Sequence, residues 1–217
     1  MTGRRRTFAL LWLLAFLIPH GDAALRPAEA QGTDPFLRRV RERILQSQPF
    51  RVDFVQQVYM DDELALEESG VIVFADREHV KWQYLDPEFK VFILENNRYR
   101  FYDRESNQLL RGVLGERSER LIWELLLSDR PGNAASWDAR TRTIRLRLDN
   151  GPGGEGSQEL KILVSPDFLP QRVEQEAENE VKTVYIFRNY RSRVVLAAGE
   201  FLLDLPADVE IVEGEAP

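Results

Sequence analysis

Cysteine does not occur anywhere in the 217 residues. Its absence excludes disulfide bonds, thiol catalysis, cysteine metal sites and an acylated N-terminal cysteine. Histidine is nearly missing too, with His20 and His79 the whole supply. A His-based triad would have to use His79, which stands in a predicted turn, Arg77-Glu78-His79, where a lone imidazole is usually just solvated. No H-x-x-x-H or clustered Asp/His pattern offers metal ligands, so neither metal nor cofactor is expected. Residues 151–156 (GPGGEG) superficially resemble a phosphate loop, but the Lys-Ser/Thr pair and the following helix are missing. The acidic runs Asp61-Asp62-Glu63 and 174–180 read as solvated faces rather than paired catalytic acids. Positive net charge is lacking as well, the formal value being -7. That argues against nucleic acid, where affinity comes from cations neutralising phosphates, and against a polybasic grip on anionic lipid.

One long apolar run is present, and it lies at the start. Arg4, Arg5 and Arg6 precede residues 8–18 (FALLWLLAFLI), and Pro19 and Gly21 break the run before small residues follow. The run is shorter than the ~20 residues that span a bilayer, so it reads as a secretion signal. Cleavage fits after Ala23, or after Ala30 within Ala28-Glu29-Ala30. Arg5-Arg6-Thr7-Phe8 echoes a twin-arginine signal, yet so apolar a core favours the general secretion route. Residues 1–30 hold four of the arginines and two of the acids, which leaves residues 31–217 near −9. That body has the size of a single domain with a sizeable core. An exported chain with neither disulfide nor lipid anchor reads as a soluble periplasmic protein.

Asp34 and Pro35 predict the N-cap and first turn of a helix. Leu37, Val40, Ile44 and Leu45 fall on one stripe, with Arg38, Arg39, Arg41, Glu42 and Arg43 outside it, and Pro49 sets the end near Gln48. Residues 50–60 are rich in β-branched and aromatic side chains and predict a strand. An acidic connection over 61–69 follows; whether Leu64-Ala65-Leu66 extends the strand is left open by the pattern. Strands are predicted at 70–75, 80–85, 89–95, 99–103 and 109–114, with turns at 76–79, Asp86-Pro87 and Asn96-Asn97. Connections this short favour antiparallel neighbours. Ser118 caps a second predicted helix over 117–128, more apolar than a surface helix needs, with Pro131-Gly132 as its stop. Strands follow at 136–137, 143–148, 160–164, 171–176, 181–187, 194–203 and 209–212. The fold class is mainly β with helices (α+β): a curved antiparallel sheet or barrel of about ten strands.

The positive signal is apolar. Period two places Val80, Trp82 and Tyr84 on one face, with Lys81 and Gln83 on the other. Ile72 and Phe74, or alternatively Val71 and Val73, supply the matching face of the preceding strand, and across a hairpin such residues meet. These residues alone fit either plain core between a sheet and its helices or one wall of a greasy groove.

Several motifs in order are similar to the outer-membrane lipoprotein carrier (LolA) family. They are an F-x-x-x-F-x-Q opening at Phe50-Arg51-Val52-Asp53-Phe54-Val55-Gln56, a strand opening on glycine at Gly70-Val71-Ile72-Val73-Phe74, and a W-x-y-x-x-P box at Val80-Lys81-Trp82-Gln83-Tyr84-Leu85-Asp86-Pro87. The likeness continues through Val91-Phe92-Ile93-Leu94, Tyr99-Arg100-Phe101-Tyr102-Asp103 and Phe201-Leu202-Leu203-Asp204-Leu205-Pro206-Ala207-Asp208-Val209. It covers residues 35–212. It implies an unclosed antiparallel β-barrel with an α-helical lid over a hydrophobic cavity for the acyl chains of a lipoprotein or related lipid. The lid would be residues 35–47 and 117–128, with Leu121, Ile122, Leu125 and Leu126 meeting Ile72, Phe74, Val80 and Trp82, and Tyr84 joining them in lining the lipid site. The implied protein is a monomeric, non-enzymatic carrier. It takes cargo from an inner-membrane ABC-type lipoprotein-releasing complex and hands it to an outer-membrane lipoprotein acceptor. A lipid- or lipoprotein-sensing module without transport is the alternative, although relatives of that kind usually carry an extra C-terminal domain.

The sequence departs from that family at Asp76-Arg77, where an Arg-Pro pair usually stands and the arginine latches the lid. Arg77 stands one residue away, and a one-residue shift in a strand reverses its face. Val80 replaces an aromatic, and Asn96 or Asn97 replaces a turn glycine. Asp76 and Arg77 are therefore the latch candidates.

Overall fold

The computed structural model of the chain describes residues 35–113, 134–149, 157–176 and 181–214. The export segment 1–30, the predicted helix over 117–128 with Leu121, Ile122, Leu125 and Leu126, and the loop 150–156 lie outside the described residues. Within them α1 (Pro35–Ser47) leads into β1 (Phe50–Met60), β2 (Glu63–Phe74), β3 (His79–Asp86), β4 (Lys90–Glu95), β5 (Arg98–Asp103) and β6 (Gln108–Val113). Next come β7 (Ala134–Asp138), β8 (Thr143–Asp149), β9 (Ser157–Val164), β10 (Pro170–Glu176), β11 (Val181–Ser192) and β12 (Glu210–Glu213). All lie in one 12-stranded sheet, ordered β12-β6-β5-β4-β3-β2-β1-β11-β10-β9-β8-β7. The end strands β12 and β7 do not pair, so the sheet is unclosed.

Three sequence expectations are corrected here. Among the described residues the strands number 12 against about ten expected, and β12 pairs with β6 in parallel. The acidic connection shrinks to Asp61-Asp62, and Glu63 to Ser69, including Leu64-Ala65-Leu66, continues β2. Both aspartates sit at positive φ (51° and 62°), as a two-residue hairpin turn with the twist of its strands requires, and Asp tolerates that region. Residues 194–203 are not a strand. They make two tight turns, closed by Glu200 N–H donating to Ala197 O and Leu202 N–H to Gly199 O.

The helix packs its stripe onto the sheet as the periodicity predicts. Leu37, Val40 and Ile44 share one buried cluster with Phe50, Val52, Phe54, Ile72 and Phe74 of β1 and β2 and with Ile144, Leu160, Ile162 and Val173 of β8 to β10. Burial of each such side chain contributes about 1.5–3 kcal/mol at most. Arg41, placed outside the stripe by the sequence, is buried. The helix is fastened to the β9–β10 corner and to β7: Arg43 pairs with Asp167 at 2.9 Å, Arg39 lies 5.3 Å over the Phe168 ring, and Phe36 stacks on Trp137 of β7 at 4.6 Å.

The opposite, outer face of the sheet carries a second apolar layer, in which Val73, Val91, Ile93, Tyr102 and Leu109 are buried. What lies over it is the segment between β11 and β12. The segment leaves α1 where Arg193 N–H donates to Ser47 O and Val194 N–H to Pro49 O. It crosses the sheet at Glu200, whose carboxylate accepts from Arg51 at 2.5 Å and Lys81 at 3.2 Å. Lys81 also donates to Glu200 O, and Arg100 to Phe201 O. Lys81 and Arg100 flank Ile93 in the strand register, so the strap passes over Ile93, which is fully buried. Along the strap Phe201, Leu203 and Leu205 are half-buried while Leu202 and Asp204 are exposed, an extended alternation without a strand's ladder. The strap ends as β12, parallel to β6.

Glu200→Ala leaves Arg51 and Lys81 half-buried without their shared carboxylate. The variant should lose about 2–3 kcal/mol, read as a lower urea midpoint with an unchanged slope. An unaltered midpoint would show that the strap does not depend on this contact.

Candidate functional site

On the face turned toward α1, the register aligns residues in rows across the strands. Phe50, Phe74, Val80, Leu94 and Tyr99 form one row. Val52, Ile72, Trp82, Phe92, Phe101 and Leu110 form the next. The structure therefore brings Ile72, Phe74, Val80, Trp82 and Tyr84 together on a single inner face, and it turns Val71 and Val73 away from it. Trp82 is the centre of an aromatic cluster, edge-on to Phe54 at 5.1 Å and to Tyr185 at 5.8 Å. Phe54 also meets Tyr84 edge-on at 5.1 Å, geometries that add to simple burial.

Gly70 is what lets these rings close up. A Cβ at this position would stand 1.9 Å from the carbonyl oxygen of Gln83 and 3.0 Å from the Phe54 ring, so any larger residue forces β2 and β3 apart.

Burial differs across the face. Trp82, Ile72 and Phe74 are sealed, whereas Phe92 and Leu94 on β4 are only half-buried. Sequence reasoning missed Phe92, Leu94, Phe101 and Leu110 as members of this face. The signal for β4 was ambiguous, since Val91 and Ile93 on the opposite side are equally apolar.

The third inner row is different in kind: Phe54, Gly70, Tyr84, Lys90, Asp103 and Gln108. Lys90 Nζ lies 2.7 Å from Glu68 Oε1, with both side chains buried, and 3.6 Å from Glu88. Tyr84 donates its hydroxyl to Gln56 Oε1 at 2.9 Å. Burial acts to depress the Lys90 pKa, but the hydrogen bond and charge of Glu68, with Glu88 and Asp103, outweigh it and hold the ammonium above its ordinary value. Burial and the neighbouring Glu68 push the Tyr84 hydroxyl far up, and burial does the same to Tyr185. Counting back by twos from Ile72 puts Glu68 inward, which is the one sequence signal that could have found it.

The latch candidates occupy the β2–β3 turn. Asp76 Oδ1 accepts from the backbone N–H groups of Glu78 (2.8 Å) and His79 (2.9 Å), and lies 2.8 Å from His79 Nδ1. Partial burial works to raise the Asp76 pKa, but the bonds from His79 and Glu78 prevail and lower it. Asp76 is thus committed to its own turn. The His79 ring meets Phe201 of the strap at 6.0 Å, and Arg77 is exposed.

A separate recess of about 750 Å³ opens at the β4–β5 turn and the ends of β6 and β12. Its lining includes Glu95, Arg98, Tyr99, Arg100, Arg111 and Glu213, with Arg100 paired to Glu95 and Arg111 to Glu213.

No family model matches this chain, and no curated protein matches it in sequence. Among solved structures it is similar to an uncharacterized conserved protein from Thermus thermophilus, with 15% identity and a TM-score of 0.51 over 82% of this chain and 97% of that one. It is similar to a LolA superfamily protein from Nitrosomonas europaea at 11% identity and a TM-score of 0.44, over 74% of this chain and 93% of that one. It is also similar to an outer membrane lipoprotein-sorting protein domain from Vibrio parahaemolyticus at 10% identity and a TM-score of 0.44, over 76% and 95%. The Thermus likeness shows the fold alone. The architecture itself, an unclosed sheet that is antiparallel except at β12 with α1 packed on its inner face, agrees with the unclosed sheet and covering helix that the motifs implied.

Asp76→Ala should destabilise the protein by about 1 kcal/mol at neutral pH through the lost turn bonds. Because the folded pKa lies below the ordinary 3.8, the contribution is complete above that pH and fades as pH falls through the depressed value. Urea melts of both proteins across that range should converge in acid; a constant gap would assign the effect to something other than the carboxylate.

Proposed function

We propose that this chain is a non-enzymatic carrier that holds the acyl chains of a lipoprotein, or of a related lipid, against the inner face of its sheet. The observation that carries the reading is the inner face itself: two adjacent apolar rows run across the sheet, sealed near β1–β3 and half-buried at Phe92 and Leu94 on β4. Each methylene removed from water contributes about 0.8 kcal/mol, so a modest stretch of uncovered floor is enough to hold an acyl chain.

In this reading residues 1–30 direct export and residues 31–217 act as one domain in the periplasm. Ile72, Phe74, Val80, Trp82 and Tyr84 form the floor, α1 covers one half, and Leu121, Ile122, Leu125 and Leu126 of the predicted second helix cover the other. Among the described residues, no helix is long and apolar enough to cross a membrane. Cargo arrives from an inner-membrane ABC-type complex and leaves to an outer-membrane acceptor. With Asp76 occupied by its turn, Arg77 is the side chain to test as the latch of the lid.

Protein extracted under native conditions from a periplasm should carry acylated protein or lipid, identified by mass spectrometry. Phe92→Glu should abolish that cargo and leave the β-sheet circular dichroism intact, since the ring is only half-buried. Empty wild-type protein that also fails to release lipoproteins from inner-membrane vesicles would overturn the carrier reading.

A further inference from the structure

Resting on the carrier reading above, we propose that Gln56, Glu68, Tyr84, Lys90 and Asp103 form a head-group subsite at one end of the acyl floor. The subsite selects an uncharged hydrogen-bonding group, such as a glyceryl ester or amide, over an anionic head.

Three observations lead there. First, the cluster is on the floor and not behind it. Tyr84 is two residues along β3 from Trp82, Lys90 two along β4 from Phe92, and Asp103 two along β5 from Phe101, and each pair shares the inner face. An acyl chain lying along the Trp82–Phe92–Phe101 row has its polar end within one strand pleat of these groups. Second, the fold gains little from a charge in this place. A buried ion pair is often no better than a well-packed apolar pair, so Glu68 and Lys90 are poorly explained as stabilisers. Third, the sign of the cluster is unbalanced. Glu68 and Asp103 are both buried and Glu88 approaches Lys90 at 3.6 Å, so one cation faces three carboxylates. An incoming carboxylate or phosphate would meet net repulsion in a poorly screened site. A neutral group finds hydrogen-bonding partners instead: Lys90 carries three N–H donors, of which Glu68 takes one, and Gln56 offers an amide.

The test is displacement of a fluorescent acyl reporter from the intact protein by monopalmitoylglycerol and by palmitate, which share one chain and differ in head group. Wild type should prefer monopalmitoylglycerol by about tenfold, the size of one unfavourable charge contact. Glu68→Gln/Asp103→Asn removes two of the three negative charges and keeps Lys90, so it should reduce that preference to within about twofold while the reporter still binds, because acyl contacts are untouched. Asp103→Asn keeps the ion pair and removes one negative charge, so it should strengthen palmitate alone and holds the test open if the double variant folds poorly. A preference unchanged in both variants, or wild type favouring palmitate, would overturn the subsite while leaving the carrier reading in place. A wild-type protein that binds no reporter at all would remove both.

Discussion

A wide antiparallel sheet has two faces to keep from water, and a single helix can serve only one of them. Here the other face is served by the chain's own tail, drawn across β3 to β5 and held at Glu200 between Arg51 and Lys81. The division has a functional side. The strap seals Val73, Ile93 and Tyr102 of the outer layer, while Phe92 and Leu94 on the inner face stay half-buried. In the proposed carrier the floor lies on the face opposite the packing that holds the sheet in shape, so occupancy and release there need not disturb that packing.

The floor is not uniformly greasy, and the gradient along it is informative. At one end α1 and the β9–β10 corner lock together through Arg43 and Asp167, with Phe36 stacked on Trp137. Moving across the sheet, the rings of Phe54, Trp82, Tyr84 and Tyr185 form a rigid centre. On β4 burial loosens at Phe92 and Leu94 and tightens again at Tyr99 and Phe101 on β5, while charge stands one row along the strands, at Lys90 on β4 and Glu68 on β2.

Much of the architecture was legible because local rules dominate it. The helix boundaries followed from Pro35 and Pro49, and the hairpins at Asn96-Asn97 and Asp86-Pro87 from turn chemistry. The choice of inner face on β3 was clear because Lys81 and Gln83 break the apolar run. On β2 and β4 it was not, since Val71, Val73, Val91 and Ile93 are as apolar as their neighbours. The reason is physical: both faces are buried there, so alternation disappears. The same strap caused the misreading of residues 194–203, whose apolar content reflects docking onto a sheet rather than membership of one. Glu68 was hidden differently. It sits among Glu67 and Ser69 in what reads as a solvated run, and only its partner Lys90, brought in through β3, makes it interior. The predicted second helix, with Leu121 and Leu125, lies outside the described residues.

The parallel pairing of β12 with β6 sets an order of assembly. Antiparallel neighbours along this chain are mostly consecutive and can zip up locally as they appear. The β6–β12 contact joins Gln108 to Glu210, and its loop must be closed before the contact contributes anything. A chain emerging amino terminus first would therefore complete β1 to β11 while Val73, Ile93 and Tyr102 are still bare. During that interval the outer layer is a sticky surface on a nearly finished domain, the kind of intermediate that aggregates or recruits holdases. The segment between β11 and β12 thus works as a seal applied from outside, closed only after the sheet it covers has formed.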